Sequence, residues 1–299
     1  MSTTIGAYNE RSAIQLARDV LGLFKLRIGV LITITALIGL AVTPGPPLGF
    51  EAVLALAVSV LIASASAGAF NQYFEHEGDR LMVRTRQRAF VTGALPRSPA
   101  WLALIGALLL TAVALAAYVL NGVAAAFVFL GAFFYAVVYT VWLKRRSWLN
   151  IVIGGLAGSF AVLAGAAAVD PTLGALPTLF ALVLFLWTPP HFWSLAIANE
   201  ADYAAAGVPM LPVVIGSARA ARVVFISTVA LAVASVLPAF YGAGPVYLLG
   251  AALGSLYFVL RAWRLARSPG RANAMSAFHA SLVQLSVLLA AAYADALLQ

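Results

Sequence analysis

The chain has no cysteine. Disulfides, thiolate metal sites and cysteine nucleophiles are therefore excluded, and the redox compartment cannot be read from thiol usage. Charge is scarce as well. Asp, Glu, Lys and Arg together make up 9% of 299 residues, against about 25% in an ordinary soluble domain. That sets aside a soluble fold of one large or two small domains. The first residues also lack the acid-free character of a mitochondrial transit sequence, because Glu10 and Asp19 fall among them. The first apolar run resembles a signal peptide in length, but eight further runs follow, so it reads as an uncleaved span.

What the chain has is apolar surface. Hydrophobic residues are 63% of it and the mean hydropathy is +0.99. Apolar runs of about 18–25 residues recur along the whole length, the signature of membrane-crossing helices. A pI near 10.1 would suit a nucleic-acid partner, but the placement of the positive charge argues against one.

Hydropathy read against turn chemistry predicts nine spans, near 24–43, 52–74, 99–119, 123–142, 149–169, 176–199, 219–240, 244–262 and 275–296. The breaks are "TPGPPLG", "NG", "DPTLG", "YGAGP" and "SPGRAN". The expected fold is all-α and polytopic, with nine transmembrane helices in one bundle around a central cavity and a single domain over 1–299. Residues 1–23 read as a cytoplasmic segment, and 75–98 and 200–218 as cytoplasmic loops carrying the site. In this scheme all 18 Lys and Arg fall on one side. The N-terminus is therefore expected inside and the C-terminus outside.

Charge returns abruptly in "NQYFEHEGDRLMVRTRQR" (71–88), directly after an uncharged run. Asn71, Glu75 and Asp79 are spaced i, i+4, i+8 and share one helix face, rising about 6 Å per step. Glu77 points elsewhere. One amide and two carboxylates in line suit a hard cation such as Mg²⁺, which takes oxygen ligands together with phosphates and water. The bland reading is a solvated helix end neutralised by Arg80, Arg84, Arg86 and Arg88. Against it, Asn71 lies within the apolar register, where polar groups are costly and usually functional. Arginines one or two turns further on also suit a metal–diphosphate complex.

A second polar cluster closes the sixth span, "LFLWTPPHFWSLAIANEADYAAAGVPMLPVV". Pro189 and Pro190 interrupt backbone hydrogen bonding, which a membrane tolerates only where protein or a cavity compensates. His191 follows, flanked by Trp187, Phe192 and Trp193. It shares a face with Asn199 and Asp202 if the helix continues through them. A packed, hydrogen-bonded histidine and a helix-capping aspartate are the competing structural roles. Lys25 and Arg27 open the first span and Lys144, Arg145 and Arg146 close the fourth, where such residues ordinarily snorkel and set topology.

Two acidic patches and a basic rim thus surround the inner mouth of an aromatic-rich bundle. That suits a diphosphate headgroup at the interface with an apolar tail among the helices. Metal and cations would stabilise the leaving diphosphate, aromatic faces an allylic cation, and dry walls would delay its capture by water.

The spacing N-x-x-x-E-x-x-x-D followed by M-x-R-T-x-x-R resembles the first signature of the UbiA-type intramembrane prenyltransferases. With "YTVWLKRRSWLNIVIGGLAG" (139–158), "WTPPHFWSLAI" (187–197), "DYAAAGVPMLPVV" (202–214) and "FKLRI", the chain is similar to the protohaem IX farnesyltransferases, or haem O synthases, within that family. The likeness covers about residues 24–216; the last three spans match in character alone. It implies that Asn71, Glu75, Asp79 and Asp202 hold Mg²⁺–diphosphate. Lys25, Arg84, Arg88, Lys144 and Arg145 would contact phosphates, and His191 would lie near the haem. The implied substrates are farnesyl diphosphate and a vinyl group of haem B, in a bacterial inner membrane, with haem A synthase or terminal oxidase assembly downstream.

Several positions depart from the family pattern. "EHEGD" stands where the family has "ERDID", Ala89 follows Arg88 where proline is common, Lys25 lacks its following proline, and "AGSFAVLAG" lacks paired prolines. Two readings compete within the same features: a related prenyltransferase with an aromatic or quinone-precursor acceptor, and a non-catalytic assembly factor that keeps the fold. A transporter would place its polar groups at the bilayer midplane and show related halves, and neither feature is seen.

Overall fold

The computed structural model describes residues 13–298. The expectations for residues 1–12, including Arg11 on the inner side, lie outside the described residues. Helices α1 (Ala13–Leu23) and α2 (Leu26–Ala41) form a pair bent by 43°. They are followed by α3 (Phe50–Phe74), α4 (His76–Arg80), α5 (Ala89–Thr92) and α6 (Pro99–Val119). Helix α7 (Gly122–Phe133) runs on as a π-helix, Phe134–Leu143. Then come α8 (Asn150–Gly154), α9 (Leu156–Val169), α10 (Ala175–Ala198), α11 (Glu200–Ala205) and α12 (Leu211–Ile215). The chain finishes with α13 (Ser217–Ala234), a 3₁₀ turn (Leu237–Tyr241), α14 (Pro245–Arg267) and α15 (Arg271–Leu298).

Among the described residues, eight helical segments are long and apolar enough to cross a membrane, and nine if the bent pair counts as one span. This is an all-helical, multi-pass membrane protein. The local reasons are those of the sequence: Pro99 and Pro245 start helices where an N–H is dispensable, and Asn121 caps α7 by accepting from Ala124 N at 2.8 Å.

Close packing rests on small residues. Helices α2 and α9 cross so tightly that a Cβ on Gly39 would meet the Val162 carbonyl, and one on Gly165 the Ala36 carbonyl. In a membrane, van der Waals contact of this kind substitutes for the hydrophobic effect between helices.

The structure sharpens two expectations and corrects one. Residues 13–23, expected as a segment before the first span, form helix α1, and the bend to α2 falls at Phe24–Lys25. The physical reason is the apolar stripe of α1, whose Leu23 packs with Ala69, Phe90 and Leu95. Helix α10 runs unbroken through Pro189 and Pro190. It then ends at Ala198, so no continuous helix carries His191, Asn199 and Asp202 on one face; Asn199 is the junction with α11. The two expected loops contain short helices, α4 and α5 in the first and α11 and α12 in the second.

Candidate functional site

Asn71 sits in the last turn of α3, and the helix gives way at Glu75 before resuming as α4. The i+4 ladder nevertheless survives the junction, with Glu75 N donating to Asn71 O at 3.0 Å and Asp79 N to Glu75 O at 2.8 Å. The three side chains therefore stay on one face, as expected. All are buried, at 4%, 2% and 2% exposure, whereas the Glu77 side chain is 85% exposed. A solvated helix end does not bury its carboxylates, so the bland reading of this stretch fails.

Each of the three is met by a cation from another part of the chain. Lys25 Nζ donates to Asn71 Oδ1 at 2.7 Å and to Tyr135 OH at 3.1 Å. Lys144 Nζ and Arg145 Nη2 lie 2.7 Å and 3.3 Å from Glu75 Oε2. Arg88 Nη1 lies 2.5 Å from Asp79 Oδ2. Four of the five predicted phosphate contacts thus converge on the predicted metal-binding line.

Lys25 reaches in from a conformation that L-residues seldom adopt, with φ 47°. Its left-handed geometry costs roughly 1–2 kcal/mol. The bend between α1 and α2 is therefore placed where it aims this side chain at Asn71, with the lysine stem lying over Gly68.

The π-helix does the same for Lys144 and Arg145. Its wider turn joins residues five apart: Thr140 Oγ1 donates to Tyr135 O at 2.8 Å, and Lys144 N to Tyr139 O at 2.9 Å. Asn71 Nδ2 in turn donates to Thr140 Oγ1 at 3.0 Å. In an α-helix residues five apart are rotated by about 140° from one another. Tyr135 and Thr140, both bonded into the site, were missed by sequence reasoning for that reason. The available signal was the polar content of "YAVVYT" inside an apolar span.

The family departure at Gly78 also finds a use. A Cβ there would run into the Arg145 guanidinium, so glycine leaves a passage for Arg145 to cross α4 and reach Glu75.

The donor set fits a hard divalent cation. Every ligating atom is an oxygen, and Glu75 Oε1 is buried without a hydrogen-bond partner, an atom that a cation would satisfy. Among the described residues, however, no three Asp, Glu or His side chains cluster tightly enough for an all-protein cage. An ion here would complete its shell from an amide, phosphate oxygens and water, as Mg²⁺ does with substrate phosphates.

Asp202 and Arg84 lie elsewhere in the mouth. They line a cleft of about 420 Å³ together with Leu195, Asn199, Glu200, Arg271 and Met275. Arg84 Nη2 donates to Tyr203 OH at 3.4 Å, tying the two expected loops together. Burial raises the Tyr203 phenol above its usual pKa, with the Arg84 charge opposing, so Tyr203 keeps its proton.

His191 is buried between two aromatic faces, Trp187 at 4.1 Å and Phe278 at 4.6 Å between ring centroids. Its Nδ1 lies 2.6 Å from Ser281 Oγ, and that hydroxyl is 2.6 Å from Phe278 O. A serine hydroxyl has one proton, and a carbonyl can only accept it. Ser281 therefore accepts from His191 Nδ1–H.

Comparison with known proteins fits this geometry. Residues 32–283 match the UbiA prenyltransferase family. The chain is 54% identical over 275 residues to protoheme IX farnesyltransferase 2 of Paramagnetospirillum magneticum, covering 92% of this chain and 96% of that one. It is 40% identical over 296 residues to a protoheme IX farnesyltransferase of Granulibacter bethesdensis, covering 93% and 90%. Among solved structures, a digeranylgeranylglyceryl phosphate synthase superposes with TM-score 0.79 at 18% identity, over 95% of this chain and all of that one. A UbiA homologue from Archaeoglobus fulgidus bound to DMAPP and Mg²⁺ superposes with TM-score 0.72 at 15% identity, over 90% and 99%.

Proposed function

The chain belongs to the UbiA prenyltransferase family, and from that premise we propose that it transfers the farnesyl group of farnesyl diphosphate to a vinyl group of haem B, giving haem O. The observation that carries the reading is the buried line Asn71–Glu75–Asp79 ringed by Lys25, Lys144, Arg145 and Arg88. Such a site holds both signs of charge in reach of one polyanion. The names of the relatives support the acceptor.

In this reading Lys25, Arg88, Lys144 and Arg145 bind the diphosphate oxygens, with Arg84 on the other side of the mouth. Magnesium, which Asn71, Glu75 and Asp79 would hold on one side of the mouth and Asp202 on the other, would add charge neutralisation to the departing diphosphate. The C1–O bond breaks and diphosphate keeps the electron pair. The vinyl π pair then forms the new bond to C1, and the cation left beside the macrocycle takes up water and releases a proton. A farnesyl group and a hydroxyl are added across the vinyl double bond in all, and diphosphate and a proton are lost. The aromatic walls stabilise positive charge, and the apolar bundle excludes water until the carbon–carbon bond has formed.

The one-sided Lys and Arg distribution supports an N-terminus on the inner face of a bacterial inner membrane. Cysteines introduced singly for Gln87 and Pro46 are expected to label with impermeant thiol reagent from the inside and the outside respectively. The opposite pattern would invert the topology.

Turnover in detergent with haem B, farnesyl diphosphate and Mg²⁺, followed by mass spectrometry, tests the function. A product heavier by farnesyl plus hydroxyl, lost on chelation and restored by Mg²⁺, is expected. Prenylation of 4-hydroxybenzoate in its place would keep the diphosphate site and overturn the acceptor.

A further inference from the structure

The turn "SPGRAN" (268–273) carries Arg271, the first residue of α15, and the function above leaves it unused. The turn is well fastened: Asn273 Nδ2 donates to Ser268 O at 2.7 Å, and Ala274 N to Gly270 O at 2.9 Å. Nearby guanidiniums are occupied, Arg267 over the Trp263 ring at 5.1 Å and Arg261 over Tyr257 at 5.2 Å. Arg271 has neither a carboxylate nor an aromatic partner among the described residues, and it lines the cleft of about 420 Å³.

That cleft has two unlike walls. Arg84, Asn199 and Asp202 come from the loops that the diphosphate reading already uses. Arg271 and Met275 come from α15, which supplies nothing to the diphosphate cradle, and Leu195 faces them from α10. The same two helices hold His191 and Phe278 one turn deeper, at positions i−4 from Leu195 and i+3 from Met275. Along α15 the rise from Arg271 to Phe278 is about 10 Å. A cationic anchor and apolar walls at the mouth therefore lie one helical turn from an aromatic-clamped imidazole further in.

We propose that this cleft is the acceptor's binding site, and that Arg271 sets acceptor specificity by pairing with a propionate carboxylate of a flat porphyrin lying against the inner ends of α10 and α15. The inference rests on the haem reading above and adds the subsite. The guanidinium offers a two-pronged match to a carboxylate, while Met275 and Leu195 offer an apolar surface to the macrocycle. The carboxylates in the cleft do not compete for Arg271: Glu200 is bonded by Ser217 Oγ, and Asp202 stands on the donor wall.

The test compares wild type, Arg271→Gln and the neighbouring control Arg267→Gln on haem B and on its dimethyl ester, which lacks both carboxylates. Arg271→Gln is expected to raise the KM for haem B by roughly 10- to 100-fold. The KM for farnesyl diphosphate should stay within about twofold, and Arg267→Gln should be silent. With the ester, wild type and Arg271→Gln should become alike. An unchanged KM for haem B, or an equal penalty with the ester, would overturn the propionate contact. A raised KM for farnesyl diphosphate would assign Arg271 to the donor. A wild type that farnesylates no haem at all would fail the function itself, which is a separate and recognisable result.

Discussion

Lys144 and Glu75 form a buried ion pair, Nζ to Oε2 at 2.7 Å, between the end of the π-helix and the junction of α3 and α4. Removing Lys144 leaves the buried Glu75 carboxylate to the partly exposed Arg145 alone, 3.3 Å away, whereas removing both leaves no buried charge. Lys144→Met is expected to destabilise the protein by about 1–3 kcal/mol, below the penalty for a wholly unpaired buried charge. The double variant Lys144→Met/Glu75→Gln should regain most of that loss and remain inactive. Thermal unfolding in detergent, read beside turnover, separates the two effects. A stable, active Lys144→Met would mean that the lysine serves neither fold nor phosphate.

Asp79→Ala and Asn71→Ala should each lower turnover by at least about 10²-fold while leaving a folded, inserted protein. Asp79 meets the chain through Arg88, whose side chain is 25% exposed and can turn to solvent. Near-normal turnover in either variant would remove that residue from the metal–diphosphate line.

His191→Ala should impair the use of haem more than that of farnesyl diphosphate, judged by the two KM values and kcat. Ser281→Ala removes the acceptor that fixes the proton on Nδ1. It should cost about tenfold in kcat, since the tautomer and ring position are no longer held, with diphosphate affinity unchanged. Equal losses for both substrates would reduce His191 to a packing residue.

The sequence by itself determined the class, the spans and the donors. Apolar length and turn residues fix where helices cross, because a bilayer forbids unpaired backbone. The spacing of Asn71, Glu75 and Asp79 survives the helix junction because their backbone ladder does. What only the tertiary structure decided is which cation meets which oxygen. The left-handed bend at Lys25, the π-helical winding that joins Tyr135, Thr140 and Lys144, and the end of α10 at Ala198 are conformations that residue periodicity does not encode. They are held by packing between distant segments, since each departs from the locally preferred α-helix and is stable only against a partner far along the chain.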